Sequence, residues 1–348
     1  MALNRGPHTG LHHHLTAGAH WEINLAHSPN GLELIPPLPP SEDVLGQTVP
    51  AKQNRIVGGG LASPNTWKWQ ASLRVQSGTC YNHVCGGVLI RKQWVLTTAQ
   101  CVDHLVVSMV VLGDYDLITS ENSREQYYAV SAIYIHPNWN RNLADGNDIA
   151  LIRLSSDVIL NSYVQLGTLP TSSQTLSGSV CYTTGWGVTQ TGGLYSAILK
   201  EASLAVLDYG TCSSSTHWGS VVKPNMICAG GGTNAACTGD SGGPLNCQVG
   251  NTYVVHGLVS FVSAAGCNTI NKPTVFTRVS NYLPWIQSAI PNWAQAAAFG
   301  LPRCHAVLHP AGLWGACGST LAVIESQRPM EKDLRAAGCW RVGFWIKM

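Results

Sequence analysis

A chain of 348 residues that is 45% hydrophobic and only 11% charged can bury a sizeable core, which excludes disorder throughout. Its formal net charge is +2, with neither a basic stripe nor a basic amphipathic helix, so no nucleic acid and no membrane surface is expected as a partner. Twelve cysteines without a CxxC pair have the wrong spacing for zinc and are too many for a cytosolic chain, which leaves disulfides formed in an oxidising compartment.

Residues 1–50 are rich in histidine and proline, end in IPPLPPSEDVLGQTVP and show no sustained period of two or 3.6. Residues 1–55 therefore read as a leader or propeptide-like segment, expected to be disordered. The opening MALNRGPHTGLHHHLTAGAH lacks the uninterrupted apolar core of a secretory signal, and no run along the chain is long enough to span a bilayer. The triple His12 to His14 reads as unstructured polar chain, although its imidazoles could take up a metal adventitiously. Arg55–Ile56, in NRIVGGG, sets a basic residue directly before an apolar, glycine-containing start; taken alone it is a linker arginine.

From about 56 to 290, the β-rich runs GGVLI, WVLTT, IALIRL, YVVHGLVSF and TVFTRV recur between Gly, Asn, Ser and Pro turns, as in an all-β barrel or sandwich. WVLTTAQC, residues 94–101, reads as a buried strand entering a turn locked by Cys101. Folds often present a reactive side chain at such a place, yet Gln100 has no useful proton chemistry. In GNDIALIRL, Asp148 immediately precedes an apolar strand, so its carboxylate is either buried at the strand's start or a plain turn or capping group. CTGDSGGP, residues 237–244, suits a tight turn that exposes the Ser241 hydroxyl and aims the N–H groups of Gly239 and Ser241 at one spot. Paired donors of that kind form an oxyanion hole, but a lone GDSGG could equally be a glycine-rich hairpin turn. NYLPWIQSAI puts Tyr282, Trp285, Ile286, Ala289 and Ile290 on one helical face, with Pro284 early enough to sit in a first turn. Residues 291–348 carry Cys304, Cys317 and Cys339 but no comparable pattern, and are expected to form a disordered tail.

RIVGG, WKWQASL, CGGVLI, WVLTTAQC, GNDIALIRL, CYTTGWG, MICAGG, CTGDSGGP, VHGLVSF and KPTVFTRVSNY follow one another over roughly residues 55–290. In this order they resemble the chymotrypsin-like serine proteases of the trypsin fold, and more narrowly the pancreatic elastases of type 1. The resemblance implies an all-β fold of two six-stranded antiparallel barrels, at about 56–165 and 166–280, with a closing helix at 281–290 and the active site in the cleft between barrels. It implies a zymogen cut after Arg55, whose freed Ile56 ammonium would pair with Asp240 and set the oxyanion turn of Gly239 and Ser241. His83 matches the histidine thought to hold that aspartate before cleavage. Disulfides Cys85–Cys101, Cys181–Cys247, Cys212–Cys228 and Cys237–Cys267 follow in the same way, leaving Cys80 and the three tail cysteines without a family partner. The loop GDYDLITSENSREQY resembles the family's calcium loop, with Asp114, Asp116, Glu121 and Glu125 as candidate ligands of a structural calcium ion, or else a solvated acidic loop. Catalysis in the family needs no cofactor.

Ser241 and Asp148 match two members of the family's triad, and at the position of the histidine base stands Gln100. Imidazole can take the serine's proton and return it to the leaving amine, and an amide can do neither. In subtilisin, loss of the triad histidine costs roughly 10⁶ in kcat, so activity here is expected to be lost or strongly impaired. His104, four residues on, would serve as a substitute base only if it reached the space between Ser241 and Asp148. By resemblance the S1 pocket has Ala235 and Ala236 at its base, Val262 on one wall and Thr274 on another, which suits small aliphatic residues and offers no carboxylate to Arg or Lys. Ser260 and Val262 would pair with a substrate strand. The resemblance thus implies a secreted, monomeric elastase-like endopeptidase scaffold whose partners are protein or peptide substrates, proteinaceous inhibitors and an activating trypsin-like protease. A catalytically inactive homologue that binds peptides, inhibitors or partner proteases through its cleft is the alternative.

Overall fold

Apolar runs that are continuous, not alternating, mark strands covered on both faces, and this chain uses them at a junction between barrels. In order, the strands are β1 (Gly60–Leu61), β2 (Gln70–Ser77), β3 (Cys80–Arg91), β4 (Trp94–Thr97), β5 (Val107–Leu112), β6 (Gln126–Ile135), β7 (Ala150–Leu154), β8 (Val180–Gly185), β9 (Lys200–Leu207), β10 (Met226–Ala229), β11 (Pro244–Val249), β12 (Thr252–Phe261) and β13 (Thr274–Arg278). The helices are α1 (Gln100–Asp103), α2 (Tyr209–Cys212) and α3 (Leu283–Ala289). This is a computed structural model, and it describes residues 59–120, 124–171, 176–291 and 293. Residues 1–58, which include the Arg55–Ile56 junction, together with Glu121, the three tail cysteines and the tail beyond Trp293, lie outside the described residues.

Strands β2, β3, β4, β7, β6 and β5 close an antiparallel barrel. Strands β8, β9, β10, β13, β12 and β11 close a second, because β9 and β11 both pair with β8. These are the two six-stranded barrels expected. The short β1 precedes the first barrel in sequence but pairs with β9 of the second, Gly60 opposite Glu201.

Side chains alternate between faces along a strand. In β3, β4 and β7, Leu89, Val95, Ala150 and Ile152 enter the first barrel's core, joined there by Leu73, Val110 and Leu112. Their neighbours Val88, Ile90, Leu96 and Leu151 turn the other way, onto Val255 and Leu258 of the second barrel and Tyr282, Ile286 and Ile290 around α3. One amphipathic stretch, NYLPWIQSAI, thus covers a face that both barrels would otherwise expose. Pro284 sits in its first turn, where its missing N–H costs nothing. Each such aliphatic side chain contributes about 1.5–3 kcal/mol on full burial.

Four disulfides reinforce this frame: Cys85–Cys101, Cys181–Cys247, Cys212–Cys228 and Cys237–Cys267. The first ties β3 to α1 and the last ties the turn before Ser241 to the loop after β12. Cys80 is disulfide-bonded as well. Among the described residues no helix is long and apolar enough to cross a membrane.

Candidate active site

Three elements from different parts of the chain meet at the cleft. Strand β4 ends in the single turn α1, which begins at Gln100; the loop before β7 carries Asp148; and the turn between β10 and β11 carries Ser241. Asp148 is buried to 1% exposure and accepts hydrogen bonds at both carboxylate oxygens. The Gln100 backbone N–H reaches its Oδ1 at 2.9 Å, while Gln100 Nε2 and Ser260 Oγ each reach Oδ2 at 2.7 Å. Thr277 Oγ1 donates to the Asp148 carbonyl at 2.7 Å. Burial pushes the Asp148 carboxyl up to about 6, and the hydrogen bonds from Ser260 and Gln100 only partly offset it. These donors are neutral groups, so among the described residues it is dipoles that face the carboxylate.

Gln100 Nε2 also donates to the Ser260 carbonyl at 2.6 Å. An amide NH₂ has two protons, and a carboxylate and a carbonyl take both. That assignment fixes the amide's orientation and leaves Oε1, an acceptor that does not hold a proton at neutral pH. Among the described residues no hydrogen bond joins Ser241 Oγ to Gln100. His104 caps the outer end of α1, 60% exposed and 3.6 Å from Asp103, and bonds neither Ser241 nor Asp148. The substitute-base role fails on placement.

The turn 237–243 has the form that paired glycines permit. Gly239 has φ +94°, and a Cβ there would lie 2.1 Å from the Tyr195 ring, so only glycine fits. The Ser241 carbonyl accepts from Gly86 N–H at 2.8 Å and the Gly242 N–H reaches Val259 at 2.8 Å. Among the described residues, no acceptor takes the N–H of Gly239 or of Ser241. Asp240, buried, accepts from Gly187 N–H at 2.8 Å and Cys237 N–H at 2.9 Å. Burial pushes its carboxyl up to about 6.

His83, matched by resemblance to the histidine that holds Asp240 before cleavage, bonds other partners here. Its Nε2 meets the Gly239 carbonyl at 3.1 Å and its Nδ1 the Ser72 hydroxyl at 2.8 Å, so both ring nitrogens are already engaged away from Asp240. Burial, more than the nearby Arg74 charge, lowers the His83 pKa to about 3.

Beside the turn, Ala235, Ala236 and Thr274 are buried, and Thr274 Oγ1 accepts from Ala236 N–H at 3.1 Å. Val262 packs on the Cys237–Cys267 bridge with Val188 and Tyr195. Each candidate cation ligand that the structure describes has a protein partner. Asp114 is paired with Arg74 Nη2, Asp116 accepts from Ile118 N–H at 2.9 Å, Glu125 accepts from the Tyr127 hydroxyl, and Glu121 is not described. Among the described residues no group of three or more His, Cys, Asp or Glu could hold a metal ion.

Two closed antiparallel barrels, with a buried aspartate and a serine in a glycine turn meeting between them, define a trypsin-like peptidase scaffold. The trypsin family profile matches residues 56–286, and the chain belongs to that family, on its chymotrypsin-like elastase branch. It is 52% identical over 249 residues to chymotrypsin-like elastase family member 1 of Bos taurus, covering 71% of this chain and 93% of the bovine protein. The same protein of Homo sapiens is 51% identical over 249 residues, with 71% and 96% covered, and that of Rattus norvegicus 50% over 247, with 70% and 92% covered.

Proposed function

We propose that this chain is an elastase-like serine endopeptidase scaffold that binds extended peptides through a pocket for small aliphatic side chains and, with Gln100 in place, turns them over very slowly. The observation that carries this reading is the double donation of Gln100 Nε2 to Asp148 and to the Ser260 carbonyl. Ser241 is the nucleophile, Asp148 the carboxylate that orients the neighbouring group, and the N–H groups of Gly239 and Ser241 the oxyanion donors. Ala235, Ala236, Val262 and Thr274 form the specificity pocket, and the backbone of Ser260 and Val262 pairs with the substrate strand. Acyl transfer of this kind needs side chains and backbone amides alone, and no cofactor takes part. Attack by Ser241 Oγ on a carbonyl requires its proton to leave as the bond forms. Gln100 offers only an amide oxygen, which is too weak a base to hold it, so the proton must pass from Ser241 Oγ to solvent water and from water to the leaving amine, and both transfers are slow.

Activation follows cleavage after Arg55 by a trypsin-like protease, with the Ile56 ammonium entering beside Asp240, a buried carboxylate that accepts, among the described residues, from two backbone N–H groups. The disulfides suit secretion, and proteinaceous inhibitors would occupy the same cleft of a monomer.

Trypsin-activated Gln100 protein should hydrolyse an Ala-Ala-Pro-Ala-type substrate roughly 10⁴- to 10⁶-fold more slowly than Gln100→His, while binding a peptide inhibitor with comparable affinity. Turnover within about tenfold of Gln100→His would overturn this reading, and preference for Arg or Lys would overturn the pocket.

A further inference from the structure

A continuous chain of polar contacts runs from the loop after β5 to the turn that carries Gly239. Asp114, its side chain fully buried, is paired with Arg74 Nη2. Arg74 Nε donates to Ser72 Oγ at 3.3 Å, Ser72 Oγ lies 2.8 Å from His83 Nδ1, and His83 Nε2 lies 3.1 Å from the Gly239 carbonyl. The direction of every proton is determined. A carbonyl only accepts, so Nε2 carries the hydrogen; a neutral imidazole then accepts at Nδ1, and Ser72 gives its single proton there. The serine's remaining acceptor capacity receives the Arg74 Nε–H. Arg74 lies opposite His83 in the β2–β3 pair, and the rings of Trp186 and Tyr195, at 5.3 and 6.1 Å, flank the imidazole, so the chain has little freedom to rearrange.

We propose that Arg74 is a positioning residue for the oxyanion turn: anchored on Asp114, it holds Ser72 and, through His83, the Gly239 carbonyl, coupling the loop that begins at Gly113 to the backbone donors of Gly239 and Ser241. Fixing that carbonyl fixes the peptide between Gly239 and Asp240, and with it the course of the turn on either side. The guanidinium also sits on the carboxylate that the family resemblance offered to calcium, so a cation belonging to the chain itself holds this loop. A buried ion pair is weak evidence for stability; a fork with one nitrogen on the anchor and another on the relay is what a guanidinium offers and a lysine ammonium does not.

The inference rests on the proposed oxyanion role, and its test separates the two. In activated Gln100→His protein, Arg74→Gln should lower kcat about tenfold with KM within about twofold, a smaller loss than removal of an oxyanion donor outright. Ser72→Ala, which interrupts the relay without touching the Asp114 pair, should do the same. Both changes should speed amide exchange across residues 238–242, whether position 100 keeps its glutamine or carries the Gln100→His change. Arg74→Lys, which keeps the ion pair but lacks the second fixed donor, should restore the melting temperature and neither kcat nor exchange. Unchanged kcat and exchange in Arg74→Gln, or recovery of kcat together with melting temperature in Arg74→Lys, would overturn the proposal. If the Gln100→His protein is itself inactive, the functional reading falls, and exchange in the Gln100 protein still decides the coupling.

Discussion

Glutamine and histidine side chains both carry a nitrogen that can donate to a carboxylate, and at the start of α1 Gln100 Nε2 reaches Asp148 Oδ2 at 2.7 Å. What differs is the proton: imidazole has a second nitrogen to accept one, whereas Nε2 here spends both of its own on Asp148 and Ser260. On the proposed reading, Gln100→Ala should therefore leave kcat within about threefold of the Gln100 protein's, since no proton transfer is lost. It should lower stability by about 1–3 kcal/mol, because a buried carboxylate and a carbonyl lose their donor. Chemical denaturation and single-turnover kinetics measure the two effects, and a large further fall in kcat would mean that the amide takes part in chemistry. WVLTTAQC already marks Gln100 as the odd residue where a buried strand meets its turn, and the resemblance supplies its position relative to Ser241 and Asp148. The Ser260 contacts were not legible: the sequence suggests only its backbone as a partner for substrate, while the hydroxyl's bond to Asp148 spans 112 residues and depends on how β12 is set against the first barrel.

At the scale of elements, hydrophobic runs located β4, β7 and β13 closely, and the helical face of NYLPWIQSAI is the face that packs. Period alone could not divide the buried strands between two cores, because a residue turned toward the first barrel and one turned toward the interface are equally apolar. The loop after β5 is open to two readings for a related reason. A string of acidic residues reads as a cation cage until the partner of each is known, and Arg74 lies 40 residues from Asp114. With Asp114 paired to that guanidinium, a millimolar chelator should leave the melting temperature unchanged to within about a degree, and added calcium should not raise it. At 100 times its dissociation constant, a bound ion would contribute about 2.7 kcal/mol, a shift that differential scanning calorimetry resolves easily. A chelator-sensitive transition would show that this loop closes on a metal after all.

For the whole molecule, the buried titratable groups set a pH dependence in which two opposing contributions meet. Asp148 and Asp240 both have pKa values raised to about 6 by burial. Each favours the folded state below its unfolded pKa, and that stability is lost as pH rises through about 6. Burial acts in the opposite sense on the histidines, lowering His83 to about 3 and His256, beside Arg278, to about 4. The unfolded chain then binds their protons while the folded chain does not, so stability rises with pH until the unfolded imidazoles have titrated near 6.5. In the uncut chain the two slopes oppose each other between about pH 4 and 6.5, and the melting temperature should vary little. Cleavage after Arg55 changes only one side of this balance. An ammonium beside Asp240 favours the carboxylate's charged form, removes its loss of stability with rising pH, and adds a contribution present until the amine itself titrates. The activated chain should therefore gain several degrees of melting temperature between pH 4.5 and 6.5 relative to the uncut chain, the two being compared by calorimetry with the cleft blocked by a peptide inhibitor. Parallel profiles would mean that the new ammonium does not reach Asp240, and the activation reading would fail with them.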